Sequence, residues 1–240
     1  MTGGNKGLGQ SISLKFSKEN YTVYINYNRD EEKAKETKQL IENEGGKAVL
    51  LQADIGNKDS LKAMLDSLPS IDVFIHNAVY AKTSKIESIT DEEWEKSIGV
   101  NVTPLLKISQ HIFSGMKEKQ YGRIFAISSL GASRAVNSYT NIGVAKAAEE
   151  AMIRYIAGEW GKYGITANTI SPGSMDTEAF RSVFAEKADE RLAYVATRSP
   201  LKRIVSFEEV ANLIYHYCQP DMSMVTGQNI RIDGGYSLLS

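Results

Sequence analysis

Tyr139 and Lys146 are the two residues whose types and spacing most directly indicate chemistry. In an α-helix, residues seven apart return to within roughly 20° of each other and lie about 10 Å apart along the axis, so both could serve one ligand. A tyrosine hydroxyl is a neutral acid, and a nearby ammonium favours its charged form. The pair therefore suits a reaction that develops negative charge on oxygen. Because this spacing also arises by chance, the surrounding elements must support the prediction.

Length and composition restrict the class of protein. The chain has 240 residues, with 28 Lys and Arg against 29 Asp and Glu, which suits one compact α/β domain. The near-zero net charge argues against a nucleic-acid partner, and no apolar stretch approaches the roughly 20 residues that span a membrane. We therefore expect a soluble, cytoplasmic protein. Cys218 predicts a buried inert thiol, and the three widely spaced histidines are expected to be packing or surface residues.

A glycine-rich turn near the N-terminus predicts a phosphate-binding site. The segment M-T-G-G-N-K-G-L-G leads into a helix predicted over 10–20. Glycine lets the backbone approach a pyrophosphate closely, and the free N–H groups of a helix N-terminus favour negative charge.

The residues that follow the first predicted strand bear on the choice of cofactor. About 20 residues past the glycines, Arg29 together with Lys6 could neutralise the extra phosphate of NADP. Alternatively, Arg29 begins a solvated charged helix, and Asp30 beside it argues in that direction. The sequence favours NADPH over NADH.

Strands and helices alternate along the chain, which predicts a parallel sheet. Strands are predicted over 21–27, 48–52, 71–75, 122–129, 165–170 and 228–235, and helices over 30–44, 60–68, 139–160, 207–218 and from 90 through 101 and beyond. Thr90 and Glu93 have the spacing of a capping box at the start of that last helix. Asn101 inside it is either exposed or has a polar task. The charged segment 175–200 is predicted to be a mobile substrate flap.

With these elements in order, the chain resembles the short-chain dehydrogenase/reductase family over its whole length. The matching segments are T-G-G-N-K-G-L-G, A-D-I, H-N-A, Asn101, S-S, the Tyr/Lys pair, S-P-G and D-G-G. The resemblance implies a single domain over 1–240 with a Rossmann-type doubly wound parallel sheet. It also implies a nicotinamide cofactor across the carboxyl edge of that sheet and a homotetramer packed through the two long helices.

The resemblance also implies roles for individual residues. The catalytic positions are Tyr139, Lys146, Ser129 and Asn101, the last as a structural polar link to Lys146. Ser129 either assists by hydrogen bonding or caps its own turn. The cofactor-binding positions are Gly3, Asn5, Lys6, Gly7, Leu8, Gly9, Arg29, Asp54, Ile55, Asn77, Ala78, Lys146, Pro172, Gly173 and Thr177.

The spacing of the tyrosine departs from most of the family. Most members have it four residues before the lysine, which here is Ile142, whereas Tyr139 resembles the branch of enoyl-acyl carrier protein reductase III. That branch implies NADPH-dependent reduction of the trans-2 double bond of an enoyl thioester on acyl carrier protein, in fatty-acid or polyketide synthesis. The oxygen that collects charge in an enoyl thioester lies three bonds from the carbon that receives hydride. A shift of three residues moves the donor about 4.5 Å along a helix.

Two other interpretations remain open. One is a 3-oxoacyl or other carbonyl reductase of the same family, with Tyr139 as proton donor to a ketone. The other is a non-catalytic NADPH-binding scaffold or sensor. It is suggested by Val79, which replaces a family glycine, and by the missing first strand. The family has a strand before T-G-G, which is absent or truncated here. Without it, the backbone groups of both neighbouring strands would be exposed, unless a longer native chain or another part of the fold fills the slot.

Overall fold

The computed structural model describes residues 1–239, and its elements confirm the predicted alternation to within three residues at almost every end. The strands are β1 (Thr22–Tyr27), β2 (Lys47–Gln52), β3 (Val73–His76), β4 (Gly122–Ile127), β5 (Ile165–Pro172) and β6 (Asn229–Ile232). The helices are α1 (Gly7–Lys18), α2 (Glu31–Asn43), α3 (Lys58–Asp66), α4 (Asp91–Ser97), α5 (Thr103–Lys119), α6 (Thr140–Trp160), α7 (Glu178–Phe184), α8 (Ala188–Arg198), α9 (Phe207–Tyr217) and α10 (Tyr236–Leu239).

All strand pairs are parallel, and helices cover both faces of the sheet. β1 pairs with β2, while β3, β4, β5 and β6 form a second, continuous set in that order. One apolar core lies beneath α1, α2 and α9, and the other lies beneath α3, α5 and α6. Every residue of β4 and β5 is buried, as expected for central strands covered on both faces. The fold is an α/β Rossmann-like single domain.

The position between β1 and β3 contains only the end of a strand. Met1 accepts a hydrogen bond from the backbone N–H of Asn26 (3.0 Å), and the N–H of Thr2 donates to Ile75 (3.1 Å). Beside them lies a cavity of about 510 Å³ that Val23 and Val73 help to line. Within residues 1–239, no further strand fills this slot, so the sheet is divided into sets of two and four strands.

The helix predicted from residue 90 contains a π-helical turn, Ile98–Val102, between α4 and α5. Thr90 caps α4 by accepting from the N–H of Glu93 at 3.2 Å, as predicted. The Glu93 carboxylate also binds Ser84 (2.9 Å) and Lys82 (2.6 Å), and the backbone of Thr90 helps these partners to lower its pKa. The π turn buries Asn101 completely, which decides between the two alternatives for that residue in favour of a polar task.

The predicted flap consists of α7, a 3₁₀ turn at Ala185–Lys187, and α8. Ala188 and Val195 are buried and anchor α8 to the domain. On its exposed side, Arg181 pairs with Asp176 and Asp189 at 2.6 and 3.0 Å. The mobility of this segment and its role in substrate binding stay predictions.

The remaining predictions from composition can be checked against side-chain burial. Cys218 is buried, and burial raises the pKa of its thiol to about 12, as expected for an inert thiol. His76 is buried, whereas His111 and His216 are exposed.

In residues 1–239, no group of three or more His, Cys, Asp or Glu could hold a metal ion. No helix in the described chain is long and apolar enough to cross a membrane.

Candidate active site

Tyr139 lies immediately before α6 rather than within it, because the helix begins at Thr140. The preceding Ser138 has a φ of +59°, a left-handed conformation that turns the chain sharply into the helix. The N–H of Ser84 donates to the carbonyl of Ser138 at 3.0 Å and ties this turn to a neighbouring loop. The helix-face geometry predicted for Tyr139 and Lys146 is therefore only approximate, since the tyrosine occupies the N-cap position.

The ring of Tyr139 packs against Gly131, which follows β4. A Cβ atom at Gly131 would lie 2.5 Å from Cε1 of the ring, so only glycine permits this approach. Ile142, the residue at the more usual tyrosine position of the family, is 1% exposed and belongs to the core. Tyr139 is thus the residue that brings a hydroxyl to this end of α6.

Ser129 both caps its own turn and faces the tyrosine. Its Oγ accepts from the N–H of Gly131 at 3.2 Å, at the start of a 3₁₀ turn. The same oxygen lies 3.5 Å from the Tyr139 hydroxyl. Ser129 therefore caps its own turn, and its assistance to the reaction by hydrogen bonding stays a prediction.

The ammonium of Lys146 is buried and bound to an acid that sequence reasoning did not identify. Nζ lies 2.9 and 3.1 Å from the two carboxylate oxygens of Glu149, one turn further along α6. Both residues are buried, and burial raises the pKa of Glu149 to about 7, with Lys146 acting in the opposite direction. The spacing of the two residues, three apart, is the signal in the sequence that could have revealed the pair.

The prediction that a neighbouring lysine favours the charged form of the tyrosine is wrong for this arrangement. The pKa of Tyr139 is raised, first by burial, with the Ser129 hydrogen bond acting in the opposite direction and Glu149 raising it further. The physical reason is chiefly burial, which disfavours the charged phenolate, and the carboxylate of Glu149 adds to it.

Asn101 joins a buried polar cluster that includes His76. Its Oδ1 accepts from the N–H of Tyr80 at 2.8 Å, and its Nδ2 donates to Ser97 at 3.2 Å. Its carbonyl lies 2.6 Å from Nε2 of His76, whose Nδ1 is 3.1 Å from the Thr2 hydroxyl. Burial and the charge of Lys146 lower the pKa of His76 to about 3, so the imidazole is neutral. The cluster fixes the ends of several elements, while the direct partner of Lys146 is Glu149.

The glycine-rich loop forms a cradle at the start of α1. Gly3 and Gly7 have φ values of +59° and +52°, and a Cβ atom at Gly9 would lie 2.0 Å from the carbonyl oxygen of Gly3. Asn77 donates to that same carbonyl at 2.9 Å. Lys6 occupies the N-cap of α1 without a side-chain cap, and the first turn has no acidic residue. The N–H groups of this turn are therefore suited to a pyrophosphate.

The cationic residues predicted to bind a cofactor phosphate lie beside the loop. Lys6 forms an ion pair with Glu178 of α7, and the same carboxylate is 3.2 Å from Lys33. Arg29 is exposed just after β1. The sequence does not indicate Lys33 as a site residue, because Lys33 and Lys6 are linked only through Glu178, which they share and which lies in α7.

The other predicted cofactor residues lie at the carboxyl ends of the strands. Asp54 accepts from the N–H of Gly56 (2.9 Å), Asn5 donates to Asp30 (3.3 Å), and Thr177 caps α7 through the N–H of Phe180 (3.0 Å). Leu8 and Ile55 are buried. The N–H of Ala78 donates to the hydroxyl of Thr2 at 3.1 Å. Pro172 ends β5, and the N–H of Gly173 donates to the carbonyl of Ile232 at 2.8 Å.

Comparison with known proteins agrees with this architecture. A family model described as Enoyl-(Acyl carrier protein) reductase matches residues 3–237. The 1-cyclohexenylcarbonyl-CoA reductase of Streptomyces collinus is 28% identical over 100% of this chain and 86% of its own length. The acetoacetyl-CoA reductase of Rhizobium meliloti is 29% identical over 98% of this chain and 96% of its own. The solved gluconate 5-dehydrogenase from Burkholderia cenocepacia, in complex with NADP and tartrate, is 23% identical and superposes with a TM-score of 0.89 over 100% of this chain and 94% of its own.

A match that spans nearly the whole chain, together with the fold and the glycine-rich cradle, defines the class. The chain belongs to the short-chain dehydrogenase/reductase family. It is an NAD(P)-dependent oxidoreductase of that family. The resemblance found in the sequence is confirmed.

Proposed function

We propose that this protein uses NADPH to reduce the trans-2 double bond of an enoyl thioester. The observation that carries the proposal is the position of the one phenol hydroxyl at the start of α6. Tyr139 provides it, while Ile142, where most of the family has tyrosine, is apolar and 1% exposed. The family description and the name of the Streptomyces collinus relative, a reductase of a cyclohexenylcarbonyl thioester, support the same reaction.

The residues present fit a nicotinamide cofactor. The uncapped first turn of α1 and the close approach of Gly3 and Gly9 suit its pyrophosphate, and Lys6 and Lys33 are two cations suited to the additional phosphate of NADPH. Asn77 holds the loop in shape through the carbonyl of Gly3. When bound, NADPH supplies a hydride for the β-carbon of the substrate.

The protein's own contribution is to stabilise the negative charge that develops on the thioester oxygen. Tyr139 donates a hydrogen bond to that oxygen, and its ring is held by Gly131. Ser129, 3.5 Å from the phenol, orients the hydroxyl. Glu149 accepts from two of the three N–H donors of Lys146, and we propose that the third binds a ribose hydroxyl of the cofactor.

The test is oxidation of NADPH, and separately of NADH, with crotonyl-acyl carrier protein, in wild type and Tyr139→Phe. We expect turnover with NADPH and a fall of about 10²–10³-fold in the variant, which is typical of losing one such donor. Tyr163→Phe is a matched control because Tyr163 packs beside Phe113, remote from Ser129. Unchanged turnover in Tyr139→Phe would refute the assignment.

Reduction of a ketone is the second candidate, and the proximity of Ser129 to Tyr139 favours it. The acetoacetyl-CoA reductase of Rhizobium meliloti supports the same alternative. An acetoacetyl thioester tested beside the crotonyl thioester separates the two. Binding of NADPH with no turnover of either would instead indicate the non-catalytic scaffold.

We also propose that acyl carrier protein presents the substrate and that the protein is a homotetramer. The long helices α5 and α6 expose apolar side chains, including Leu106, Val144 and Tyr155, which supports packing between copies through these helices. Sedimentation analysis tests the oligomeric state.

A further inference from the structure

The carboxylate of Glu149 is the feature of α6 that the proposed reaction does not use. It has no exposed surface, and both of its oxygens bind the ammonium of Lys146, at 2.9 and 3.1 Å. A buried charge is costly unless it is paired and hydrogen-bonded, so a carboxylate in this position is not explained by packing alone. Its geometry is directed at the lysine that serves the site.

The pair has no net charge when both groups are ionised. A protonated Glu149 would leave the full positive charge of Lys146 inside the site, in surroundings where charges interact strongly. Burial raises the pKa of Glu149 to about 7, so both states are populated near neutral pH. The electrostatic potential that the pair produces in the site therefore depends on whether Glu149 is protonated.

Three other titratable groups face the pair. Glu150, the next residue of α6, adds to the rise in the pKa of Glu149. His76 of β3 is near Lys146 and is neutral, since its pKa is lowered to about 3. Tyr139, before α6, is acted on by Glu149, which raises the pKa of the phenol. Of these groups, Tyr139 is the one that the charge of the pair affects at the reacting end.

We propose that Glu149 is a positioning residue that fixes the ammonium of Lys146 and cancels its charge until the carboxyl takes up a proton. Protonation then exposes the charge of Lys146 to the phenol of Tyr139 and to the anionic cofactor. The site becomes a stronger hydrogen-bond donor and binds the cofactor more tightly on the acid side of neutrality. This rests on the proposed function, because it assigns Tyr139 and Lys146 to the reaction.

The test compares wild type, Glu149→Gln and Glu150→Gln between about pH 6 and pH 8.5. The amide of Glu149→Gln imitates the protonated carboxyl, since it keeps an oxygen for Lys146 without the charge. Glu150→Gln removes the same charge from the adjacent residue, whose carboxylate binds Ser128 (2.5 Å) and Asn229 (2.8 Å) instead. Two quantities are measured, kcat/KM with crotonyl-CoA and the Kd of NADPH in the absence of substrate.

We expect the ratio of kcat/KM in Glu149→Gln to that in wild type to rise with pH. It should be near one at the acid end and roughly tenfold at the alkaline end, with the midpoint near the pKa of about 7. The ratio of the Kd of NADPH in Glu149→Gln to that in wild type should fall with pH over the same range, because the variant keeps the tighter-binding state. Glu150→Gln should keep a wild-type pH profile whose midpoint lies somewhat lower, because Glu150 adds to the rise in the pKa of Glu149.

A purely structural role for Glu149 would change these quantities by the same factor at every pH, which would overturn the proposal. Glu149→Asp provides a second variant, because it retains a titrating carboxyl that is one methylene shorter. We expect it to restore the pH dependence of the wild type while altering the absolute rate. A flat ratio for Glu149→Gln and an altered profile for Glu149→Asp would also contradict the proposal.

The two measurements separate failure of this inference from failure of the proposed function. Absence of turnover on crotonyl-CoA, with a pH-dependent Kd ratio in Glu149→Gln, would refute the reaction and still support the control of Lys146 by Glu149. Turnover that collapses in Tyr139→Phe, with flat ratios in Glu149→Gln, would support the reaction and overturn this inference.

Discussion

Two clusters of lysine and glutamate serve opposite ends of the candidate cofactor site, and they differ in burial. At the phosphate end, Glu178 contacts Lys6 and Lys33, with side chains that are about half exposed. At the reacting end, Lys146 and Glu149 are buried and joined through both carboxylate oxygens. The same residue types therefore occur in two very different dielectric surroundings.

The difference in burial decides what each cluster can do. Salt screens an exposed ion pair and water competes for it, so its partners exchange easily for a phosphate. A buried pair is held because removal of one member leaves an uncompensated charge. The phosphate end is therefore suited to reversible binding, and the reacting end is suited to maintaining a fixed potential.

Lys146→Met should have the largest effect, because it breaks the buried pair. We expect a loss of about 3–5 kcal/mol of unfolding free energy at alkaline pH. The loss should shrink on acidification, because the pKa of Glu149 in the folded protein, already raised to about 7, rises further without Lys146 and the carboxyl becomes neutral. Urea unfolding at about pH 6 and pH 8.5 measures both values.

The double variant Lys146→Met/Glu149→Leu is the control for this experiment. Replacing both members by apolar groups should restore most of the lost stability, since no buried charge remains. An equal loss at the two pH values would contradict the account of the pair.

Gly131→Ala should have an intermediate effect, because it disturbs the packing of the reacting end without changing a charge. The added Cβ would lie 2.5 Å from the ring of Tyr139, so the ring must move. We expect kcat to fall by about 10²-fold and stability to fall by about 1–3 kcal/mol. Turnover of NADPH and thermal unfolding provide the measurements.

Gly158→Ala is the matched control, because a Cβ there meets no atom within 4 Å. It lies in α6 and should be neutral or slightly stabilising by helix propensity. If both alanine variants behave alike, close packing of the tyrosine ring is not what positions it.

Glu178→Gln should have the smallest effect, which sharpens the contrast with the buried pair. Exposed pairs contribute little, so we expect Tm to change by less than about 2 °C. The Kd of NADPH should fall by about two- to fivefold at low salt, because Lys6 and Lys33 lose a competing anion. Titration at low and high salt tests this.

Glu186→Gln removes an exposed charge from the neighbouring 3₁₀ turn and is the control. A change in Kd of the same size in both variants, or one that high salt leaves unaltered, would show that Glu178 does not compete for the lysines.

The sequence predicts most of the fold because strands and helices alternate along it and because the apolar run 71–75 is typical of a buried parallel strand. The sequence also places Ser129 after a strand and Tyr139 at the start of a helix, whereas it did not indicate Glu149 or Lys33. The spacing of Lys146 and Glu149 allows them to pair, but the burial of that pair could not be predicted from the sequence. A lysine and a glutamate three residues apart usually form a surface pair, and only tertiary packing buries this one.

Two further features depend on local backbone conformation that periodicity does not encode. The left-handed Ser138 puts Tyr139 just outside α6, and the π turn directs the carbonyl of Asn101 to His76. Ser138 is a single-residue departure from regular geometry and the π turn is a five-residue one, and both lie beside the reacting end. Regular patterns in a sequence predict helices and strands, whereas local departures from regular backbone geometry orient the side chains of the site.

The cavity between β1 and β3 has a consequence for cooperativity. In the part of the chain that the structure describes, Met1 and Gly4 bond to β1 and Thr2 bonds to β3, so few backbone hydrogen bonds join the two sets of strands there. One apolar core nevertheless contains Ile25 of β1, Ile75 of β3 and Phe125 of β4, so side-chain packing couples the two sets of strands where the ladder does not. We expect a cofactor that contacts both sets of strands to make them unfold more cooperatively, because it binds only when both are folded.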